Sequence, residues 1–264
     1  MEAAPNTEKK KNLTYIAEKI LRAHEKGRFE AFTVHGEQRV GKSAYAIKSA
    51  RDVYLTLNGY SEDEAWRAAL DCIKFEKRDV FKIIQQHMRS NEILPVLIWD
   101  DTGVHGSSYQ FFLDSKEVAA LKGVFDTVGT GLSGLIMTTP TPGSILKFIR
   151  DYHFPEIEIS KMDADWDRKA QPREYYHSRR GWGTRRTREY DLFSCYLPVE
   201  VWRQYITRRK DVALKAIDAI LNVIENQTKG AKGEATKLKQ AAELTEMKTR
   251  LINTDPLLPK YEST

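Results

Sequence analysis

Apolar and polar positions along the chain follow two rhythms. In LTYIAEKILRAHEKG, residues 13–27, Leu13, Ile16, Ala17, Ile20 and Leu21 recur at helical spacing, and Gly27 is a natural stop. EAFTVHG then reads as a short strand entering a glycine turn. GKSAYAIKSARDVYLTLNG reads as a helix ending at Asn58-Gly59. Ser61 followed by Glu64 is a capping-box pattern that opens a new helix. SEDEAWRAALDCIKF and KRDVFKIIQQHMRSN read as two helices. ILPVLIWDD is an apolar run closed by two aspartates, as expected of a buried parallel strand. DSKEVAALKGVFDTVG is helical, GLIMTT a second buried strand, PTPGSILKFIRDY a turn into a short helix, and EIEIS a further strand.

A helix followed by alternating strands and helices predicts an α/β fold with a mostly parallel sheet flanked by helices. Beyond residue 165 the pattern changes. REYYHS and REYDLFSCYL are β-prone arms around a Gly-Trp-Gly triplet, which predicts a basic β-hairpin with that triplet at its tip. VEVWRQYITRRKDVALKAIDAILNVIENQ reads as a long helix with a possible break near Arg209, beginning the C-terminal helices. Residues 1–165 are therefore expected to form the core, 166–227 a hairpin and helical extension, and 228–264 a polar helical or disordered tail.

The loop after the first strand, GEQRVGKS, matches GxxxxGK[ST] at Gly36, Gly41, Lys42 and Ser43. Average residue frequencies give one chance match in a chain this long at roughly 1%, and the strand before it and helix after it are the context the motif requires. Glycines let the backbone turn tightly, so successive N–H groups converge on a phosphate, and the helix N-terminus adds positive charge. Gly36, Glu37, Gln38, Arg39, Val40, Gly41, Lys42, Ser43 and Ala44 are the candidate nucleotide-binding residues. Lys42 would reach the β- and γ-phosphates, and the Ser43 hydroxyl would hold Mg²⁺. These residues call for ATP and Mg²⁺ as cofactors.

VLIWDD supplies the acidic partner at the end of a buried strand. Asp100 would hold Mg²⁺ directly or through water. Asp101 stands where a glutamate usually orients or deprotonates the attacking water, and its side chain is one methylene shorter. GLIMTT ends in Thr138 and Thr139. It resembles the further strand that, in the additional-strand class of P-loop enzymes, lies between loop strand and acidic strand and ends in a polar residue contacting the γ-phosphate or the water. That resemblance implies this role for Thr138 or Thr139. The plainer alternative is that they cap the turn before Pro140.

Together, GEQRVGKS, VLIWDDTG and LIMTT resemble the additional-strand P-loop NTPases. Asp-Asp, a small residue and glycine are similar to the signature of the DnaA and DnaC group of the AAA+ family. The likeness extends to the DnaA-like ATPases of crenarchaeal spindle-shaped viruses and plasmids, and covers about residues 28–160. It implies a Mg²⁺-dependent ATPase that assembles as a homo-oligomeric ring or filament. It also implies an arginine, here Arg150 in SILKFIRDYHF, that reaches a neighbour's nucleotide. A solvated helix-end arginine is the alternative for Arg150. The basic hairpin departs from the AAA+ pattern, which keeps open a RecA-like or packaging-motor ATPase with a sheet extended by antiparallel strands.

Composition adds a partner and a compartment. The chain has 264 residues, 41% hydrophobic and 30% charged, enough to bury a core. No apolar run approaches the ~18–20 residues that span a bilayer, and the first residues lack the apolar stretch of a signal peptide. A soluble, cytoplasmic protein is expected, in the host cytoplasm if a virus or plasmid encodes it. Two cysteines, Cys72 and Cys195, suit a reducing compartment. Arg173, Arg179, Arg180, Arg185, Arg186 and Arg188 stand against one glutamate, with Tyr175, Tyr176, His177 and Trp182 interleaved. Arginines neutralise phosphates and aromatics stack on unpaired bases. Arg179, Arg180, Trp182, Arg185, Arg186 and Arg188 are thus candidate DNA contacts. A solvated edge hairpin and a subunit contact are the alternatives. The expected activity is ATP hydrolysis on DNA by a replication initiator or helicase loader. A packaging or conjugation motor and a low-turnover nucleotide switch are the competing classes.

Overall fold

The computed structural model describes residues 13–102, 122–145, 147–163, 167–178 and 181–228, together with Ala242 and Thr245. Contacts divide the chain into one compact unit ending at Tyr196 and a second beginning at Leu197.

The first unit is a mixed α/β fold around an eight-stranded sheet. Helix α1 (Tyr15–Glu25) precedes strand β1 (Glu30–His35). Helix α2 (Lys42–Leu57) and helix α3 (Glu62–Asp71) follow. Then come strand β2 (Ile73–Lys74), helix α4 (Lys77–Ser90), strand β3 (Leu94–Trp99) and strand β4 (Leu132–Thr139). A short helix α5 (Lys147–Arg150) leads into strand β5 (Glu156–Lys161). Strands β6 (Asp167–Ser178), β7 (Gly181–Arg186) and β8 (Asp191–Ser194) complete the sheet.

The spatial order is β2-β3-β4-β1-β5-β6-β7, with β8 beside β6. Strands β2 to β5 pair in parallel; β5–β6, β6–β7 and β6–β8 are antiparallel. Strand β4 therefore lies between β1, which feeds the glycine loop, and β3, which ends in the aspartates. All eight residues of β4 are buried, as expected of a central strand covered on both faces.

One face packs α1 and α2 against β1, β3 and β4. The other is an apolar cluster in which Leu97, Trp99, Leu135 and Met137 meet Val80 and Ile84 of α4, with Phe125, Ile145 and Ile149. Trp99 is fully buried, and its indole N–H donates to Phe75 O at 3.2 Å. That bond removes the desolvation cost of the one polar atom in a large apolar side chain. Burial also pushes the Cys72 thiol up to about 12, which makes it a packing residue and a poor nucleophile.

The capping box expected at Ser61 forms: Ser61 Oγ accepts from the Glu64 amide, and a Glu64 carboxylate oxygen accepts from the Ser61 amide at 2.9 Å. The helix that follows it is shorter than its apolar pattern suggested. It stops at Asp71 because Ile73–Lys74 pairs with Ile98–Trp99 as β2, a strand too short to show a period of its own. The helix expected over 114–129 is described only from residue 122, as helical residues 122–127 and a 3-10 turn at Val128–Thr130.

The basic hairpin is an integral part of the main sheet. The far half of β6, Arg173–Ser178, pairs with β7, and its near half, Asp167–Ala170, pairs with β8. Two strands lie end to end along one edge of β6, where a single arm was expected. Gly-Trp-Gly opens β7 instead of forming the tip, because Gly181 already pairs with Ser178. Arg179 and Arg180 lie outside the described residues.

The second unit carries helix α6 (Val199–Thr228), an unbroken 30-residue helix with no interruption at Arg209. No described helix is long and apolar enough to cross a membrane. The tail expected after residue 228 lies outside the described residues except at Ala242 and Thr245.

Candidate nucleotide site

Strand β1 delivers the chain to Gly36, whose φ is +146°. A Cβ there would stand 2.5 Å from Ile159 O, so only glycine fits between β1 and β5. The loop then turns through Arg39 at φ +60° and Gly41 at φ +100°. Two left-handed residues so close together curl a short segment into a concavity. Helix α2 starts immediately, with the Tyr45 amide donating to Gly41 O at 3.0 Å. The amides before it have no acceptor within the helix, and this end of the helix carries positive dipole charge.

Lys42 is 8% exposed. Its ammonium donates to Gly36 O at 3.0 Å and to Glu37 O at 2.7 Å. The lysine thus bridges its own loop. The Gly36 amide donates to Pro140 O at 3.3 Å, which ties the loop to the chain beyond β4.

Ser43 Oγ donates to Asp100 Oδ1 at 2.8 Å. Thr138 Oγ1 donates to the same oxygen at 2.5 Å and accepts from the Asp101 amide at 2.9 Å. Asp100 and Thr138 are both 0% exposed. The Asp100 amide donates to Lys74 O, so the two-residue strand β2 holds the aspartate's backbone. Parallel register explains the meeting of Asp100 and Thr138. Trp99 pairs with Met137, and the next residue of each strand therefore faces the α2 side together.

Thr139 points elsewhere: its hydroxyl donates to Thr141 O at 3.0 Å and caps the turn after β4. Asp101, half-buried, sits at φ +52°, a conformation that aspartate tolerates better than most residues. Glu37, Gln38 and Arg39 are exposed on the loop, while Val40 and Ala44 are buried beneath it. Arg150 ends α5 with an exposed side chain and lines a separate small cleft with Thr33, Glu156 and Tyr175. Of the hairpin candidates, Trp182, Arg185, Arg186 and Arg188 are exposed.

One residue of this site escaped the sequence reading. Arg168 of β6 is 5% exposed, and its Nε donates to Val40 O inside the glycine loop at 2.8 Å. A second guanidinium nitrogen donates to Asp167 O. A Cβ on Gly41 would meet Cys195 Cβ at 3.1 Å, with Arg168 and Phe193 next in distance. Strands β6 and β8 therefore brace the loop from outside. Asp191 of β8 adds to this brace by accepting from the Tyr15 amide at 2.8 Å and from the Tyr45 hydroxyl. Burial raises the Asp191 carboxyl above its ordinary range. Alternation carried the available signal, since Arg168, Ala170 and Pro172 are the buried positions of β6.

The donor set suits a phosphate ligand with a hard divalent cation. Ser43 and Asp100 present a hydroxyl and a carboxylate on one spot, the kind of oxygen pair Mg²⁺ takes alongside ligand phosphates. A buried carboxylate held by two hydroxyls is also better compensated by a cation than by an apolar core.

No family model matches the chain. It is 28% identical over 222 residues to protein B-251 of Sulfolobus spindle-shape virus 1, described as uncharacterized, covering 81% of this chain and 87% of that one. It is 24% identical over 131 residues to the uncharacterized ORF286 of Acidianus two-tailed virus, covering 49% of this chain and 43% of that one. Among solved structures, the KaiC-like protein PH0186 of Pyrococcus horikoshii OT3 aligns with a TM-score of 0.32 at 12% identity. That alignment covers 69% of this chain and all of that one.

Proposed function

We propose that the chain is a Mg²⁺-dependent ATPase that works on DNA as a homo-oligomer in the cytoplasm of an infected archaeal host. The observation that carries the nucleotide half is the joining of loop and acidic strand through Ser43 and Asp100 at 2.8 Å. When bound, Mg²⁺ supplies a positive charge that neutralises developing phosphate charge. Ser43 and Asp100 would hold it. The amides of the Gly36–Ser43 loop and the Lys42 ammonium would bind the phosphates. Asp101 would accept a proton from the attacking water, and Thr138 fixes the backbone amide of that aspartate. Arg150, exposed at the end of α5, would serve a neighbouring subunit.

The DNA half is supported by the exposed arginines and tryptophan of the β6–β7 hairpin. An initiator or helicase loader is the reading the motif likeness favours. A DNA-moving motor is the second reading, and a specific observation favours it: the sheet continues past β5 into antiparallel β6, β7 and β8.

The test is phosphate release from ATP, with and without single- and double-stranded DNA, using Lys42→Ala as the blank. DNA-stimulated release that the variant loses supports the reading. ATP binding with no stimulation would move the protein to the switch class. No ATP binding at all would overturn the nucleotide half.

A further inference from the structure

We propose that the outward face of the β6–β7 hairpin is a stacking platform for single-stranded DNA, centred on Trp182 and backed by His153. The inference rests on the DNA-acting reading above and names the strand state and the residues it uses.

Register places Arg173, Tyr175 and His177 of β6 opposite Arg186, Thr184 and Trp182 of β7, so these side chains share one face. Trp182 is 57% exposed, a costly position for an indole that meets only water. It is nevertheless held in place. The His153 ring stacks on it with centroids 4.0 Å apart and planes 15° from parallel. His177 approaches it edge-on at 5.2 Å. Tyr175 in turn meets His153 edge-on at 5.1 Å, and its hydroxyl donates to Glu156 at 2.5 Å. His153 sits at φ +55°, an unfavourable conformation for a non-glycine residue. That backbone aims its ring at Trp182.

An indole fixed on one side and open to solvent loses little freedom when a base stacks on it. The charge around it selects the partner. Arg186 shares this face; Arg185, opposite Glu174, lies on the reverse face of the same strand, and Arg188 follows just beyond β7, all three exposed. Arg173 donates to Glu158 at 2.6 Å, and the more exposed Arg186 also pairs with that carboxylate, at 3.6 Å. A duplex would satisfy the arginines but keeps its base faces stacked internally. An unpaired strand offers both phosphates and free base faces.

The experiment uses the full chain without nucleotide and follows anisotropy of a labelled oligo(dT) and of a duplex. Trp182→Ala is expected to weaken oligo(dT) binding on the order of tenfold, with a smaller effect on the duplex. Trp182→Phe is expected to keep most of the affinity, because the aromatic face remains. Equal oligo(dT) binding by Trp182→Ala and the parent would overturn the platform while leaving DNA-stimulated hydrolysis untouched. Changed sedimentation of Trp182→Ala with unchanged DNA binding would make the face a subunit contact and also overturn it. If the parent chain binds neither nucleic acid, the DNA-acting reading falls first and the platform with it.

Discussion

Thr138 reaches from the end of β4 to Asp100 at the end of β3, donating to its carboxylate while accepting from the Asp101 amide. A single hydroxyl therefore sets both acidic residues of the site. The candidate metal ligand is fixed by its side chain and the candidate base by its backbone. A carboxylate at 0% exposure needs such donors, since leaving it without partners costs several kcal/mol.

Thr138→Val tests this joint. The isosteric side chain keeps the packing and removes one donor and one acceptor. Unfolding stability is expected to fall by about 1–3 kcal/mol from the unsatisfied groups. The kcat for ATP is expected to fall by about tenfold or more with a smaller change in KM, because Asp101 is misplaced while the phosphate loop is intact. Thr138→Ser should restore most of both. Steady-state phosphate release and urea denaturation measure the two effects, and an unchanged kcat in the valine variant would refute the joint.

Arg168→Met tests the brace on the glycine loop. The apolar stem is retained while the guanidinium donated to Val40 O is lost. A charged hydrogen bond of this kind is worth about 1.5–3 kcal/mol. Nucleotide affinity is expected to fall by about tenfold with kcat less affected, since the loop loses preorganisation and no reacting group is removed. Arg168→Lys should recover part of the loss. Titration with a fluorescent ATP analogue gives the affinities. Equal affinities for all three proteins would reduce Arg168 to a packing residue.

His35, at the end of β1, predicts a pH dependence. Burial pushes its imidazole below the ordinary value near 6.5, although Glu156 and Glu158 pull it upward. Its Nε2 lies 3.8 Å from a Glu156 oxygen, without a hydrogen-bond partner among the described residues. Below pH ~6.5 the unfolded chain takes up a proton that the folded chain refuses. Stability is then full above that pH and declines as pH falls toward the folded value. Asp52 and Asp191, both raised by burial, act in the opposite sense, so the comparison must be with a variant. His35→Gln is expected to lose less stability than the parent between pH 7 and pH 5. Urea midpoints at the two pH values measure the difference, and parallel losses would exclude His35 as the source.

Glu158 and Glu174 contribute at lower pH. Hydrogen bonds from Arg173 and Tyr15 hold their carboxyls below the usual range. Their stabilisation is present above the unfolded value and is lost only as pH drops through the folded one, which leaves the His35 window clear.

The loop, the acidic strand and the alternation of elements were legible in the sequence because each is a local pattern. GEQRVGKS needs only its own glycines, lysine and serine. ILPVLIWDD needs only an apolar run and its stop. The sequence by itself determined an α/β chain with a phosphate-shaped loop and a buried aspartate. It did not determine which threonine meets that aspartate. Strand β4 is buried on both faces, so it has no polar alternation to mark its sides, and only the Trp99–Met137 register assigns Thr138 to Asp100 and Thr139 to the turn. Nor did it determine that Arg168 supports the loop, because 128 residues separate it from Val40 and only antiparallel closure of β6 on β5 brings them together. Contacts made by periodicity within one segment are written in that segment. Contacts made by strand order and register exist only once the sheet is assembled.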